Sequence, residues 1–400
     1  MKQTRRFKMA TVTQLVKYNL NGAAGKAAGQ NTGDIVIGTT PWPTTGVAAN
    51  APINMYGVAC DWSGNVYVTD IGTNAVYKVD EGGSISTFAG QPGADGYVNG
   101  TGFSARFHGP TGIACDKSAN VYVADTKNNR IRKINQNGYA TTIAGGFNAP
   151  KGVAVAPNGD IIVADTGNHK IWRVTASGNT TLVAGSTQGN VAGYTGTTKI
   201  KGSAAKFNTP VDVTVDNSGN IYVADQGNYQ IKVIYPDGWV RVFAGNGTQG
   251  NVNGVAAVAQ FYTLQSCKCD RSGFLYVIDQ VPSFQRLKRV DPNGNVSTFG
   301  NPIGTDKCYG LAVSPADKIF VTTDTSLTPG TLDSSSSSSS VSSQSSANSQ
   351  SSASSASSAS SASSVNSQSS ASSASSASSA SSASSMTQSS QSSQSPGPRT

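Results

Sequence analysis

The feature that most constrains this chain is an internal repeat. One copy runs from Gly112 through Val121, Tyr122, Val123, Ala124 and Asp125 to Thr126, Asn128 and Ile131. A second runs from Gly152 through Ile162, Val163, Ala164 and Asp165 to Thr166, Asn168 and Ile171. A third runs from Asp212 through Tyr222, Val223, Ala224 and Asp225 to Asn228 and Ile231, and weaker copies end at Asp70, Asp279 and Asp324. The six aspartates are spaced by 55, 40, 60, 54 and 45 residues. Units of this kind bury their apolar faces only by stacking on their neighbours.

Each copy reads as strands. A short apolar run such as Gly152 to Val155 precedes a polar turn, and a β-branched and aromatic run ends at the aspartate. Another turn leads into alternating residues such as Arg130 to Ile134, and a fourth run such as Ala140 to Gly145 follows. Four antiparallel strands per repeat make a propeller blade. Only 12% of residues are charged and 44 are glycine, which favours a turn-rich all-β chain over a helical bundle.

The Val-Ala-Asp strand end followed by Thr-x-Asn-x-x-Ile, at 123–131 and 163–171 and nearly so at 223–231, resembles the NHL-repeat β-propellers. The resemblance covers roughly residues 55–324 and implies a six-bladed propeller. It carries no single activity. Ile278 to Pro282 in the fifth copy departs from the pattern, and the sixth keeps only its core.

The sixth copy stops short, because Thr325 to Gly330 and a serine-rich segment follow Asp324. Gln14 to Gly22 looks like the third-strand segment Ala75 to Gly82, and Asp34 to Gly38 suits a fourth. These N-terminal strands are expected to complete the last blade and close the ring, which removes open sheet edges. The expected organisation is a basic leader at 1–10, the propeller at 11–330 and a Ser/Ala/Gln tail at 331–400, too poor in apolar residues to fold.

Three connections between blades are long: 91–109, 186–209 and 246–263. Each ends in Ala-x-Phe, at Phe107, Phe207 and Phe261, expected to plug the groove between blades. The rest is Gly, Asn, Thr, Gln and Tyr, and loops this long favour a binding role. Tyr97, Asn99, His108, Lys127, Arg130, His169, Tyr194, Tyr229 and Tyr262 are the expected interaction face.

Chemistry is sparse. Some enzymes resembling NHL propellers hold a metal on the axis with several histidines, but this chain has two, His108 and His169, so neither a metal nor another cofactor is expected. Asp70, Asp125, Asp165, Asp225, Asp279 and Asp324 stand one per repeat, the mark of a structural device that accepts backbone N–H groups. Asp61-x-Ser-Gly-Asn and Asp216-x-Ser-Gly-Asn are hairpin turns, too short for calcium loops. Cys60, Cys115 and Cys269 are repeat-equivalent and expected to be buried thiols. No catalytic residue is assigned.

The formal net charge is +8, of which five lie among the first 17 residues. No apolar stretch follows this basic start, so a secretory signal is not expected, and the location is read as cytoplasmic or virion-associated. Lys127, Arg130, Arg132, Lys133, Lys170 and Arg173 form a basic cluster, read as a solvated face. The leading expectation is a non-enzymatic scaffold binding a protein or glycan through the long-loop face, in the manner of a phage structural or host-recognition protein. A hydrolase or lyase with an axial site, and an RNA-binding propeller, are the alternatives.

Overall fold

The structure is a computed structural model. It describes residues 15–19, 54–80, 85–193, 200–304, 307–315 and 318–324. The leader, the tail, Tyr194 and the segment Asp34 to Gly38 lie outside the described residues.

The described chain is an all-β propeller. Blade 1 comprises Met55–Cys60, Val66–Asp70, Ala75–Val79 and Ile85–Ala89, hydrogen-bonded in that order. Blade 2 is Pro110–Cys115, Val121–Asp125, Arg130–Ile134 and Tyr139–Gly145, and blade 3 is Val153–Val155, Ile161–Asp165, Lys170–Val174 and Thr180–Ala184. Blade 4 is Pro210–Val215, Ile221–Asp225, Gln230–Ile234 and Trp239–Ala244, and blade 5 is Leu264–Cys269, Leu275–Val281, Phe284–Val290 and Val296–Gly304. All pairings within blades are antiparallel. No helix among the described residues is long and apolar enough to cross a membrane.

Six four-stranded blades were expected, and five are found. The sixth sheet has three described strands, Lys307–Val313, Lys318–Asp324 and Leu15–Asn19. Leu15 lies opposite Thr322 and Asn19 opposite Lys318, so the N-terminal segment is the third strand. The chain after Asp324 runs Thr-Ser-Leu-Thr-Pro-Gly and has no alternating pattern from which to build one.

The second strands are buried at every position from Val66 to Asp70, Val121 to Asp125, Ile161 to Asp165 and Ile221 to Asp225. Their unbroken β-branched and aromatic composition follows from having a neighbouring blade on each face. The Thr-x-Asn motif after the aspartate is a single 3-10 turn at Thr126–Asn128, Thr166–Asn168 and Gln226–Asn228. The residue after it, Asn129, His169 or Tyr229, has φ of 54–57°. Blade 5 replaces this turn by a tight hairpin at Pro282 and Ser283, so its two middle strands run longer, which explains the departure at Ile278 to Pro282.

Side chains near each aspartate tie a blade to the next. Thr69 donates to the Thr111 carbonyl (2.5 Å), Thr126 to Pro150 (2.7 Å) and Thr166 to Pro210 (2.7 Å). Gln226 donates to Leu264 (2.7 Å), Gln280 to Cys308 (2.6 Å), and Thr322 of the sixth sheet to Tyr56 of blade 1 (2.7 Å). The last bond joins residues 266 apart in sequence. Tyr56 and Tyr309 stack at 5.0 Å across the same seam. Innermost strands approach closely enough to require glycine: a Cβ at Gly112 would lie 2.1 Å from the Lys151 carbonyl oxygen, and one at Gly310 2.3 Å from that of Tyr56.

Candidate functional site: three pinned loops and an axial cavity

The repeated aspartates are latches. Asp125 Oδ1 accepts the His108 backbone N–H (2.8 Å), Asp165 that of Asn148 (2.7 Å) and Asp225 that of Asn208 (2.7 Å). Asp279 accepts from Tyr262 (2.7 Å) and Thr263 (2.9 Å), and Asp70 from Asn54 (2.9 Å), Gly72 (2.8 Å) and Thr73 (3.1 Å). Each carboxylate thus fixes the end of the incoming loop, its own turn, or both. The side chain of Asp324 lies outside the described residues.

The second oxygen has a role that sequence reading missed. Asp125 pairs with Arg132 (3.0 Å), Asp225 with Lys232 (2.7 Å) and Asp279 with Lys288 (3.1 Å), and all six side chains are fully buried. In blade 3 the partner is the Trp172 indole N–H, 3.0 Å from Asp165. Burial raises the Asp125 and Asp225 carboxyl pKa and lowers those of Arg132, Lys232 and Lys288, opposed in each case by the paired charge. Arg132 was expected in a solvated basic face. It lies instead between blades, because alternate positions of a propeller's third strand face the adjoining sheet. The signal in the sequence is a cation in the third strand of those blades that a long loop precedes.

Those cations organise the loops. Arg132 donates to the Arg106 carbonyl (2.8 Å), Lys232 to that of Lys206 (2.8 Å) and Lys288 to that of Gln260 (2.7 Å). The same three sit 4.9, 5.2 and 5.0 Å from the ring centres of Phe107, Phe207 and Phe261. The three phenylalanines are wholly buried, in clusters that span neighbouring blades, as the Ala-x-Phe pattern predicts.

The loops share a second motif not recognised from sequence: Gly96-Tyr97-Val98-Asn99-Gly100, Gly189-Asn190-Val191-Ala192-Gly193 and Gly250-Asn251-Val252-Asn253-Gly254. The leading glycine N–H donates to the Phe107, Phe207 or Phe261 carbonyl (3.1, 2.9 and 3.0 Å). The valine carbonyl accepts the N–H of Arg106, Lys206 or Gln260 (3.0, 2.9 and 2.9 Å). Beyond the valine the loops reach the outermost strand of the following blade. Gly100–Thr101 pairs with Ala140 and Tyr139, Ile200–Lys201 with Val240 and Trp239, and Gly254 bridges Val296. This covers exposed sheet edges.

The valines stay open to solvent, with Val98 55%, Val191 38% and Val252 42% exposed. Tyr97, Phe103, Val255 and Val258 are exposed on the same loops. Among the described residues, exposed large apolar side chains are concentrated there.

The expected face is only partly assembled. Tyr97 is exposed and carries Arg130 over its ring at 4.6 Å, and Lys127 is exposed beside the same blade's turn. Asn99 accepts from Arg132 (3.1 Å), so its amide serves the loop. His108 is half-buried, 3.8 Å from Asp95. His169 Nδ1 accepts the Thr209 N–H (3.0 Å), as Asn74 and Asn129 accept from Gly109 (2.8 Å) and Ala149 (2.7 Å). Its role is therefore the same blade-to-loop clasp. Tyr229 and Tyr262 are half-buried at turns.

The axis differs at its two ends. Toward the long loops, Tyr56, Lys151, Gln265 and Tyr309 close around about 20 Å³, room for about one water molecule. Asp212 takes the place of the repeat's glycine and accepts from Ser266 (2.5 Å), the Cys267 N–H (3.0 Å) and Lys268. At the opposite end, where the first-to-second-strand hairpins gather, a cavity of about 510 Å³ opens. Cys60, Cys115 and Cys269 line it, half-buried and packed against the core clusters in which they were expected. They end the innermost strands, whose edge faces the axis. Burial pushes all three thiols up, and no disulfide joins the five cysteines. Among the described residues no group of three His, Cys, Asp or Glu is placed to hold a metal ion.

Comparison with known proteins agrees with this architecture. The NHL repeat family matches residues 107–134, 147–174 and 207–234, each beginning at the phenylalanine before a blade. Comparison with curated proteins by sequence returns no match. Among solved structures, a protein of unknown function from Bacteroides thetaiotaomicron superposes with a TM-score of 0.52 at 15% identity, covering 77% of this chain and 90% of that one. Virginiamycin B lyase from Staphylococcus aureus gives a TM-score of 0.45 at 15% identity, over 68% of this chain and 95% of the lyase. A calcium-binding protein, regucalcin, from Agrobacterium tumefaciens gives 0.46 at 12% identity, over 68% and 92%. At 15% identity the first of these likenesses is one of fold alone. With its four-stranded blades, its Asp latches and three matched repeats, this chain is a β-propeller that carries NHL repeats at 107–134, 147–174 and 207–234.

Proposed function

We propose that the protein is a non-enzymatic interaction scaffold that binds a protein partner through its three long loops. The observation that carries this reading is the repeated Gly-x-Val-x-Gly turn. Its backbone is held by the same two hydrogen bonds in each loop, while its valine is left exposed. Apolar side chains exposed on a pinned backbone lose little entropy on docking, and clusters of them mark protein-binding surfaces. The narrow axis at the loop end supports binding by the loops over chemistry at an axial site there. In this reading the three-stranded sheet is the sixth blade of a closed ring, which makes the scaffold rigid.

The test is affinity capture from host-surface extracts, immobilised glycans and RNA at two salt concentrations, using the full chain and the Val98→Asp/Val191→Asp/Val252→Asp variant. A protein retained by the native chain at both salt concentrations and lost by the variant supports the proposal. Glycan capture that the variant retains would overturn it. So would salt-sensitive RNA capture that depends on Lys127 and Arg130.

A further inference from the structure

The cavity at the hairpin end of the axis is remote from the loops and has no part in that reading. Its mouth is built from one turn repeated in blades 1, 2, 4 and 5. In each, an aspartate commits both carboxylate oxygens to donors of its own hairpin. Asp61 accepts the Ser63 and Asn65 N–H groups (2.9 Å each), the Asn65 amide (2.7 Å) and the Tyr67 hydroxyl (3.2 Å). Asp116 and Asp216 repeat this set through Tyr122 and Tyr222, and Asp270 through Ser272, Phe274 and Tyr276.

The turn places no demand on the residue after the aspartate. Those residues are Trp62, Lys117, Asn217 and Arg271; all four are exposed and all line the cavity. Trp62 is 56% exposed, an unusual position for the largest apolar side chain. The Arg271 guanidinium from blade 5 covers its ring at 4.9 Å. The mouth thus offers an aromatic surface, two cations and an amide, while the neighbouring carboxylates already have their donors. Its volume of about 510 Å³ falls within the range of small-molecule sites.

We infer that this cavity binds a small ring compound bearing an anionic group, with the ring against Trp62 and the anion held by Lys117 and Arg271. A nucleotide, a sugar phosphate and an aromatic carboxylate share that chemistry. Calorimetric titration of the full chain with adenosine monophosphate, glucose 6-phosphate and benzoate separates these sources. Adenosine, glucose and benzamide serve as neutral counterparts.

The expected result is saturable binding of at least one anion, weaker by about tenfold or more for its neutral counterpart, as loss of a charge-assisted contact predicts. Trp62→Ala is expected to abolish it. Lys117→Ala and Arg271→Ala are each expected to weaken it by about tenfold, with the melting temperature unchanged because these side chains are exposed turn positions. Absence of saturation at about 1 mM for all three anions, equal binding of neutral counterparts, or binding that survives Trp62→Ala would overturn the assignment. Val98→Asp/Val191→Asp/Val252→Asp is expected to leave this binding intact.

Discussion

Replacing Lys232 by methionine tests the latch mechanism most directly. The Lys232 ammonium lies 2.7 Å from Asp225 and 2.8 Å from the Lys206 carbonyl, and both charged side chains are fully buried. Methionine keeps most of the volume and removes the charge. Asp225 is then left with the Asn208 N–H and the Asn228 amide as its hydrogen-bond donors, and the Lys206 carbonyl loses its partner. Removing one member of a buried pair costs about 3–5 kcal/mol, most of it the uncompensated charge that remains.

For a domain of this size that loss lowers the melting temperature by about 10 °C. Lys232→Met together with Asp225→Asn removes both charges and is expected to return to within about 2 kcal/mol of the native chain, the deficit being one poorly matched amide. Urea unfolding of the native protein, both single variants and the double variant gives the coupling energy.

The pH dependence carries the sign. Burial already raises the Asp225 pKa, with Lys232 opposing it. Removing the lysine raises it further. A carboxyl whose folded pKa exceeds its unfolded value gives stability that is present below the unfolded value and is lost as pH rises through the folded one. The deficit of Lys232→Met is therefore expected to be larger at neutral pH than near pH 4. A cost under about 1 kcal/mol, as for an exposed pair, or a double variant no more stable than Lys232→Met, would refute the argument.

Three further outcomes are expected. Phe261→Ala empties a wholly buried position between blades 4 and 5 and should cost about 3–5 kcal/mol in denaturant unfolding. Gly112→Ala sets a methyl group 2.1 Å from a backbone oxygen and should lower the melting temperature, whereas alanine at Gly64, where no atom lies within 4 Å, meets only the strain of φ 86°; equal losses would argue against the close approach of the innermost strands. Burial pushes Tyr56 and Tyr77 up to about 12 and raises Tyr67, Tyr122, Tyr222 and Tyr276 further. Ultraviolet titration should find these six phenols protonated at pH 11, and their ionisation there would contradict the packing.

The blades, their strand order and the plugging phenylalanines were legible because each rests on local pattern. β-Branched runs, turn residues at fixed offsets and a recurring Ala-x-Phe are properties of short segments. The borrowed third strand of the sixth sheet was legible for a related reason: the chain ran out of strand-forming residues after Asp324, and Leu15 to Asn19 had the missing pattern. The Gly-x-Val-x-Gly turn lay open in the sequence too, nine residues from valine to phenylalanine in the first and third loops, but the longer interval of 16 in the second obscured it.

What the tertiary structure decided is where each polar side chain points. Arg130 and Arg132 stand two apart on one strand and look alike in sequence. Arg130 meets the exposed Tyr97, whereas Arg132 is sealed against Asp125 and Phe107. Arg130 opens the strand beside the turn, whereas Arg132 lies two residues further along it and is fully buried. Cys60, Cys115 and Cys269 occupy equivalent repeat positions, yet only ring closure turns their strand ends toward a shared cavity. Trp62 and Arg271, 209 residues apart in sequence, meet for the same reason. The repeat pattern defines the units, and the cyclic packing of those units brings distant turns together at the axis.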